Sequence, residues 1–458
     1  MPARQRPIPF PSLFAVVAVL TVGISLLGGA SRGDVATNAM VQLLGTALIF
    51  SVCLVGRWAT IARETRQWIG LLLLLTVWIA LQLVPLPPSL WASLPGRSPY
   101  VAEAAIVGIA QPWRPISLSP MDTWVSLVGM TVPIGLLLGW GSVNHAQLRA
   151  GLWILVGVMV ASVLLGLAQI SSGGLYLFQN SNAGFPTGLF VNRNHQAAAL
   201  ALTFPLMGVA ILEARIERHR SKTLLIAACA AACLVLPMLL VNGSRAGLAL
   251  AASAIVLTVV MAATYRVPGH ARATRRERLV VLAALLTPFV VATLAFLLGR
   301  AAAIERLTRL RIEDDQRYRQ AATVIEMIRA HFPVGAGYGS FPQVFRVYEP
   351  FTSLKFTYFN RAHNDLLELA FEGGLPSVLL AVAATALFTR QAWWVWTTKD
   401  RGRTTLYARA ATIMLVILVL ASVGDYPLRT PTILVFATIA ITWLSAGAAL
   451  LKSDQGPL

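Results

Sequence analysis

The stretch RAHNDLLELAFEGGLPSVLL, residues 361 to 380, sets a cation, a histidine and three carboxylates directly ahead of a long apolar run. Helical spacing puts Asp365, Glu368 and Glu372 on one polar stripe and Leu366, Leu369 and Ala370 on an apolar one. A polar segment here runs into a membrane span. Apolar runs of about twenty residues, the length needed to cross a bilayer, recur from one end of the chain to the other. The 458 residues are 57% hydrophobic and only 12% charged, so the chain reads as an all-α, polytopic integral membrane protein. Cys53, Cys229 and Cys233 all fall inside apolar runs and imply no disulfide framework.

Twelve spans are predicted, over 9–29, 37–56, 68–84, 121–140, 151–170, 195–213, 223–241, 247–264, 279–298, 374–392, 406–424 and 431–451. They divide the chain into nine spans over 1–298, one large outer loop with surface helices over 299–373, and three spans over 374–458. The first span is expected to be retained, because further spans rather than a cleavage site follow it. Lysine and arginine set the orientation. With a cytoplasmic N-terminus, 21 of the 37 fall on the inner side, six in short outer connections and ten in the large outer loop. Both termini are therefore predicted to be cytoplasmic. The net charge of +18 arises largely in short cytoplasmic connectors such as RIERHRSK and RVPGHARATRRER. That is a topological signal and suits anionic lipid headgroups, so no nucleic-acid partner is expected.

The outer arginines sit where the chain re-enters the membrane: Arg193 in GLFVNRNHQAA, Arg245 in NGSRAGLAL and Arg429 in GDYPLRTP. An arginine at mid-span costs about 2.5–3.5 kcal/mol on insertion scales, and less at the interface. Each alone can snorkel, or pair locally with a carboxylate such as Asp425. Together with Arg361 they suggest an anionic ligand, because the planar guanidinium bonds two oxygens at once and stays charged.

In the outer loop, residues 304 to 329 read as one or two amphipathic surface helices, with Ala321, Val324, Ile325 and Ile328 on the apolar stripe. VGAGYGSF follows, with Gly335, Gly337 and Gly339 at alternate positions. It lacks the strand and lysine of a phosphate-binding loop and reads as a turn in which backbones approach closely. The aromatic stretch FPQVFRVYEPFTSLKFTYF suits a membrane interface and sugar stacking alike. His363, with an ordinary pKa of about 6.5, can take a proton from a hydroxyl, or can simply cap or pack at a helix start.

GLFVNRNHQAAALAL, NGSRAGLAL, RYRQAATVIEMIRAHFPVGAGYGSF and RAHNDLLELAFEGGLP occur in the order seen in the O-antigen ligase and O-antigen polymerase superfamily of bacterial envelope glycosyltransferases, which residues 150 to 430 resemble. The His-Asn-x-x-Leu-Glu core ahead of a Gly-Leu-Pro turn is the most specific block. SRAG stands where SRGG is common, and LPSV where LPG is common; neither change touches a proposed reactive group. The resemblance implies a GT-C-like fold in the bacterial inner membrane, with its active site at the periplasmic face. It also implies a donor glycan on undecaprenyl pyrophosphate, and as acceptor either a lipid A core or a second lipid-linked glycan.

Carried residue by residue, the resemblance makes His363 the general base. Arg193 and Arg245 bind the pyrophosphate, with Arg317 and Arg361 as further partners, and Asn194 and Asn364 either orient these groups or cap helices. No cofactor is implied. No outer carboxylate cluster forms a ligand set for a metal, so transfer is expected to be metal-independent and, by attack opposite the pyrophosphate, inverting. Ligase, polymerase and protein O-glycosylating relative stay open as alternatives. From another class, so does a lipid-linked glycan flippase or transporter, which should show internal repeats and mid-membrane charges.

Overall fold

The computed structural model describes residues 12–31, 35–55, 58–178, 184–216, 221–265, 316–354, 359–398 and 402–453. They form α1 (Leu13–Leu27), α2 (Ala36–Val55), α3 (Arg63–Leu81), α4 (Pro88–Ser93), α5 (Ser98–Val107), α6 (Pro120–Gly129), α7 (Thr131–Gly141), α8 (His145–Ser172) and α9 (Arg193–Ile216). There follow α10 (Ser221–Asn242), α11 (Arg245–Thr264), α12 (Gln316–His331), α13 (Phe341–Tyr348), α14 (Asp365–Thr397), α15 (Arg403–Gly424) and α16 (Pro431–Ser453). Among the described residues, β structure is confined to the two-residue strands β1 (Pro85–Leu86) and β2 (Arg114–Pro115), paired antiparallel. The protein is an all-α, multi-pass membrane protein. Among the described residues, nine helical stretches are long and apolar enough to cross a bilayer, and α1 and the end of α10 add two shorter apolar ones. These eleven account for every expected span but the ninth, 279–298, which lies outside the described residues together with the start of the outer loop.

Helices α9, α15 and α16 form the centre of the bundle and are buried on nearly all sides. In lipid, apolar side chains gain little from facing one another, so close packing of small residues does the work. Gly247 of α11 lies so near Ala197 of α9 that a β-carbon there would come within 2.3 Å of the alanine's, and Gly447 of α16 stands 2.4 Å by the same measure from Ala408 of α15. Larger residues at either crossing would force the helices apart.

One face of the bundle carries a platform built from residues 82–123, 316–354 and 359–364. Its halves are stitched together: Leu118 N–H donates to the Ala336 carbonyl at 2.8 Å and Thr123 Oγ1 to the Tyr338 carbonyl at 2.6 Å. The wholly buried Arg97 guanidinium donates to the carbonyls of Pro95, Ile116 and Gly335. A small apolar core of Val324, Met327, Phe341, Val344, Phe345, Phe359 and Phe371 fills it. The aromatic stretch thus divides, with Phe341, Phe345 and Phe359 buried and Phe351 fully outward. Helix α12 is rotated from the expected stripe: Gln320, Thr323, Val324, Met327 and His331 are buried while Ile325 is exposed. The platform supplies hydrogen-bond and aromatic partners for the polar residues, which an apolar count does not register.

Helix α14 begins at Asp365, nine residues before the expected start of the tenth span, and breaks at Gly374, whose φ of 60° and ψ of −155° are not helical. The break orphans carbonyls that must find donors. The glycine loop supplies them: Ala336 N–H donates to Phe371 O and Gly337 N–H to Glu372 O, both at 3.0 Å. Gln82 and Trp78 of the α3 end also donate, to Glu372 O and Gly373 O. Only glycine fits this approach, since a β-carbon on Gly335 would stand 2.6 Å from the Glu372 carbonyl oxygen and the loop needs positive φ.

Candidate active site

Three helices start on the platform face, each with a polar cap and each beside a residue singled out from sequence. Helix α9 starts at Arg193, with Asn192 Oδ1 accepting from Asn194 N–H at 2.9 Å. Helix α11 starts at Arg245, with the Ser244 hydroxyl accepting from Gly247 N–H at 3.0 Å. Helix α14 is capped by Asn364, whose Oδ1 accepts from Leu366 and Leu367 N–H, each at 3.0 Å. A cap of this kind is worth about 1 kcal/mol, and each helix N-terminus adds partial positive charge suited to an anion. Asn364 also donates to the Val423 carbonyl; its role here is capping and bracing.

These helix starts meet at Asp425, the residue that closes α15. A carboxylate at a helix C-terminus is electrostatically misplaced, since the dipole there is already negative. Donors gather to compensate: Asn194 Nδ2 at 2.8 Å from Oδ2, Asn192 Nδ2 at 3.3 Å from Oδ2, and the Tyr426 N–H at 3.0 Å from Oδ1. His363 Nδ1 lies 3.2 Å from Oδ1 and the buried His195 Nε2 3.5 Å from it. Asn194 in turn accepts from the Ser244 hydroxyl at 2.8 Å, carrying the network to the residue before Arg245. One hydrogen-bonded patch therefore joins the Arg193–Asn194 start of α9, the Ser244–Arg245 start of α11 and His363.

His363 itself is held in a left-handed backbone conformation, φ 51°. For a non-glycine residue this costs about 1–3 kcal/mol and persists only where neighbours fix it. They do: Ala362 N–H donates to Glu368 Oε2 at 2.9 Å on one side, and the Asn364 cap locks the other. The ring packs against Phe359 and the edge of Tyr426, with centroids 5.2 and 5.0 Å away. With 16% of its side chain exposed and Nδ1–H spent on Asp425, the imidazole keeps Nε2 as its proton acceptor. The Tyr426 hydroxyl stays protonated, because burial, reinforced by Asp425, pushes its pKa up to about 12.

The remaining arginines divide. Arg193 is half-buried and stacks on Phe185 at 4.2 Å, and Arg245 is exposed at its helix start. Arg361 and Arg429 are engaged by the polar stripe of α14: Arg361 Nη1 donates to Glu368 Oε1 at 2.8 Å, and Arg429 Nη2 to Glu372 Oε2 at 2.7 Å. Arg429 Nε also lies 3.3 Å from Glu368 and 3.9 Å from Asp365. Burial works against the Arg429 charge, yet Glu368, Glu372 and Asp365 outweigh it and hold its pKa above the usual value. Arg317 falls in the first turn of α12, and its side chain is outside the described residues.

Sequence reasoning does not mark Asp425 and His195 as members of the patch, nor Asn192, Ser244 and Tyr426. In sequence, Asp425 offers only a local partner for an arginine, and His195 in GLFVNRNHQAA carries no role. The available signal was a carboxylate and a histidine each next to an interfacial arginine motif. The O-antigen ligase family matches residues 229–382, from α10 through the platform into α14. The match includes Arg245, Arg361 and His363 and stops short of Asp425, with Arg193 and His195 ahead of it. No curated protein matches the chain.

Proposed function

We propose that this chain, which carries over residues 229–382 the domain of the O-antigen ligase and polymerase superfamily, transfers a glycan from undecaprenyl pyrophosphate to an acceptor hydroxyl. The platform face is then periplasmic, the membrane is the bacterial inner membrane, and both termini are cytoplasmic. The observation that carries this reading is the 3.2 Å contact of His363 with Asp425, within a network that also reaches the helix starts bearing Arg193 and Arg245.

In this mechanism the acceptor hydroxyl gives its proton to His363 Nε2. Its oxygen forms the new bond to the anomeric carbon, and the bond to the pyrophosphate oxygen breaks with its electron pair leaving on the pyrophosphate. Asp425 stabilises the imidazolium; with its many donors it is a poor proton acceptor and stays charged. Arg193 and Arg245, reinforced by the N-termini of α9 and α11, hold the pyrophosphate and bind its growing negative charge more strongly as the bond breaks. These cations take the role a metal plays elsewhere, so the transfer is metal-independent, and attack opposite the leaving group inverts the anomeric carbon. Arg317 is a further phosphate partner. Arg361, tied to Glu368, acts by shaping the His363 turn.

The two sibling activities differ only in acceptor, and the ligase reading is preferred, with the polymerase as its alternative. The test is purified full chain in nanodiscs, given a lipid-pyrophosphate glycan and either lipid A core or a second lipid-linked repeat. Transfer to core without added divalent cation is expected. Transfer only to the second repeat would replace ligase with polymerase. A strict requirement for a divalent cation would overturn the arginine mechanism.

A further inference from the structure

We infer that His195 is a positioning residue for this site: a second imidazole that holds Asp425 in place and tempers its charge, and so sets how strongly His363 takes up a proton. The inference rests on the transfer chemistry above only for its kinetic consequence. The geometry stands on its own. His195 is 1% exposed, its Nδ1 lies 2.9 Å from Thr430 Oγ1, and its ring meets the edge of Tyr426 at 4.8 Å. Tyr426 is thereby wedged between the two imidazoles, His195 on one side and His363 on the other.

The network assigns the tautomer of His195. If Nδ1 carried the proton, the Nε2 lone pair would face a carboxylate oxygen 3.5 Å away, an arrangement that repels. With the proton on Nε2, the Thr430 hydroxyl donates to Nδ1 and Nε2–H points at Asp425 Oδ1, the same oxygen that His363 uses. At 3.5 Å this is an electrostatic contact and not a full hydrogen bond. It still draws charge from the oxygen that must stabilise the His363 imidazolium. The other ionisable groups around the assembly are Tyr426 itself, Arg361 and Glu368, which act on Tyr426, Asp365 and Arg429 around the same loop, and Arg193 and Arg245 at the starts of α9 and α11.

Replacing His195 by phenylalanine keeps the ring against Tyr426 and removes the donor. More charge is then left on Oδ1 for His363, so the charged form of His363 is favoured and its titration moves to higher pH. The chain has six histidines, few enough to follow individually in histidine-labelled protein by NMR, with His363 assigned through His363→Gln. In His195→Phe the His363 titration should rise by about 0.5–1 pH unit. The acidic limb of kcat should rise equally, with donor KM unchanged. His195→Gln, which restores an N–H, should return both to within about 0.2 unit. Thr430→Val, which keeps both imidazoles but removes the hydroxyl that donates to His195 Nδ1, should move them in the same direction and serves if His195→Phe does not fold. An unmoved His363 titration in folded His195→Phe or Thr430→Val protein would overturn the inference. Because the NMR reading needs no turnover, a shift without any glycosyl transfer would sink the proposed activity and leave the coupling standing.

Discussion

One loop, Asp425 to Thr430, serves two polar clusters beside the start of α14 that behave in opposite ways. At its first residue, Asp425 gathers amides and two imidazoles, leaves His363 partly exposed, and coexists with a strained backbone. Four residues on, Arg429 is consumed by Asp365, Glu368 and Glu372, two of them fully buried, and Glu372 also accepts from the Gly339 N–H at 2.9 Å. The first cluster keeps a lone pair and a strained turn available for chemistry. The second satisfies its charges internally and binds loop, platform and helix into one frame. Spacing alone makes the two look alike, since each is an acid and a base at the membrane edge; exposure and strain tell them apart.

The comparison predicts that loss of a residue from the first cluster removes activity but not stability, with the reverse order in the second. His363→Ala should lower transfer by at least 10²–10⁴-fold, the usual worth of a general base, while keeping the left-handed turn, since alanine retains the β-carbon. Its thermal midpoint in nanodiscs should stay close to wild type. A fall of several degrees would place His363 in the frame instead. Arg429→Met leaves the buried Glu372 without its cation and Glu368 with Arg361 alone, and should cost about 3–5 kcal/mol of stability, seen as a lower melting temperature and reduced membrane yield. An Arg429→Met protein that melts like wild type and yet fails in transfer would move Arg429 into the chemistry. Arg193→Ala with Arg245→Ala should lower kcat/KM for the lipid donor by about 10²-fold or more with little change in melting, and equal activity would remove the pyrophosphate assignment.

The spans were legible in the sequence because a bilayer leaves the backbone few alternatives: about twenty apolar residues in a helix is nearly the only solution. Helix α14 shows where that reading stops. Its first nine residues carry three carboxylates, so hydropathy starts the span at 374, whereas the structure starts the helix at Asp365 because Arg429 and Arg361 neutralise the stripe. Those partners include a residue more than fifty positions away in sequence, which no local pattern reveals. For the same reason Arg361 and Arg429 looked like ligand-binding cations, and Asp425 like the mate of Arg429. The placement of His363, Asn364, Arg193 and Arg245 at helix starts is legible because each cap is written locally.

The smallest expected effect tests whether the platform frame, like the second cluster, is electrostatically closed. His331 ends α12, is 1% exposed, and bonds through Nδ1 to the Met327 carbonyl at 2.9 Å. Burial, aided by the nearby Arg97 charge and opposed by the Met327 bond, lowers its pKa from 6.5 to about 4. An unfolded chain takes up a proton at this residue near pH 6.5, while the folded protein resists until about pH 4. Between those values the unfolded state binds more protons, so stability rises with pH and is lost as pH falls through the window. The loss should reach on the order of 3 kcal/mol at its lower end. His331→Leu should flatten the dependence of melting temperature on pH between 6.5 and 4, at the cost of the Met327 bond at every pH. If the slope persists in His331→Leu, the acid sensitivity arises at groups other than His331, and the platform is not where the frame opens first.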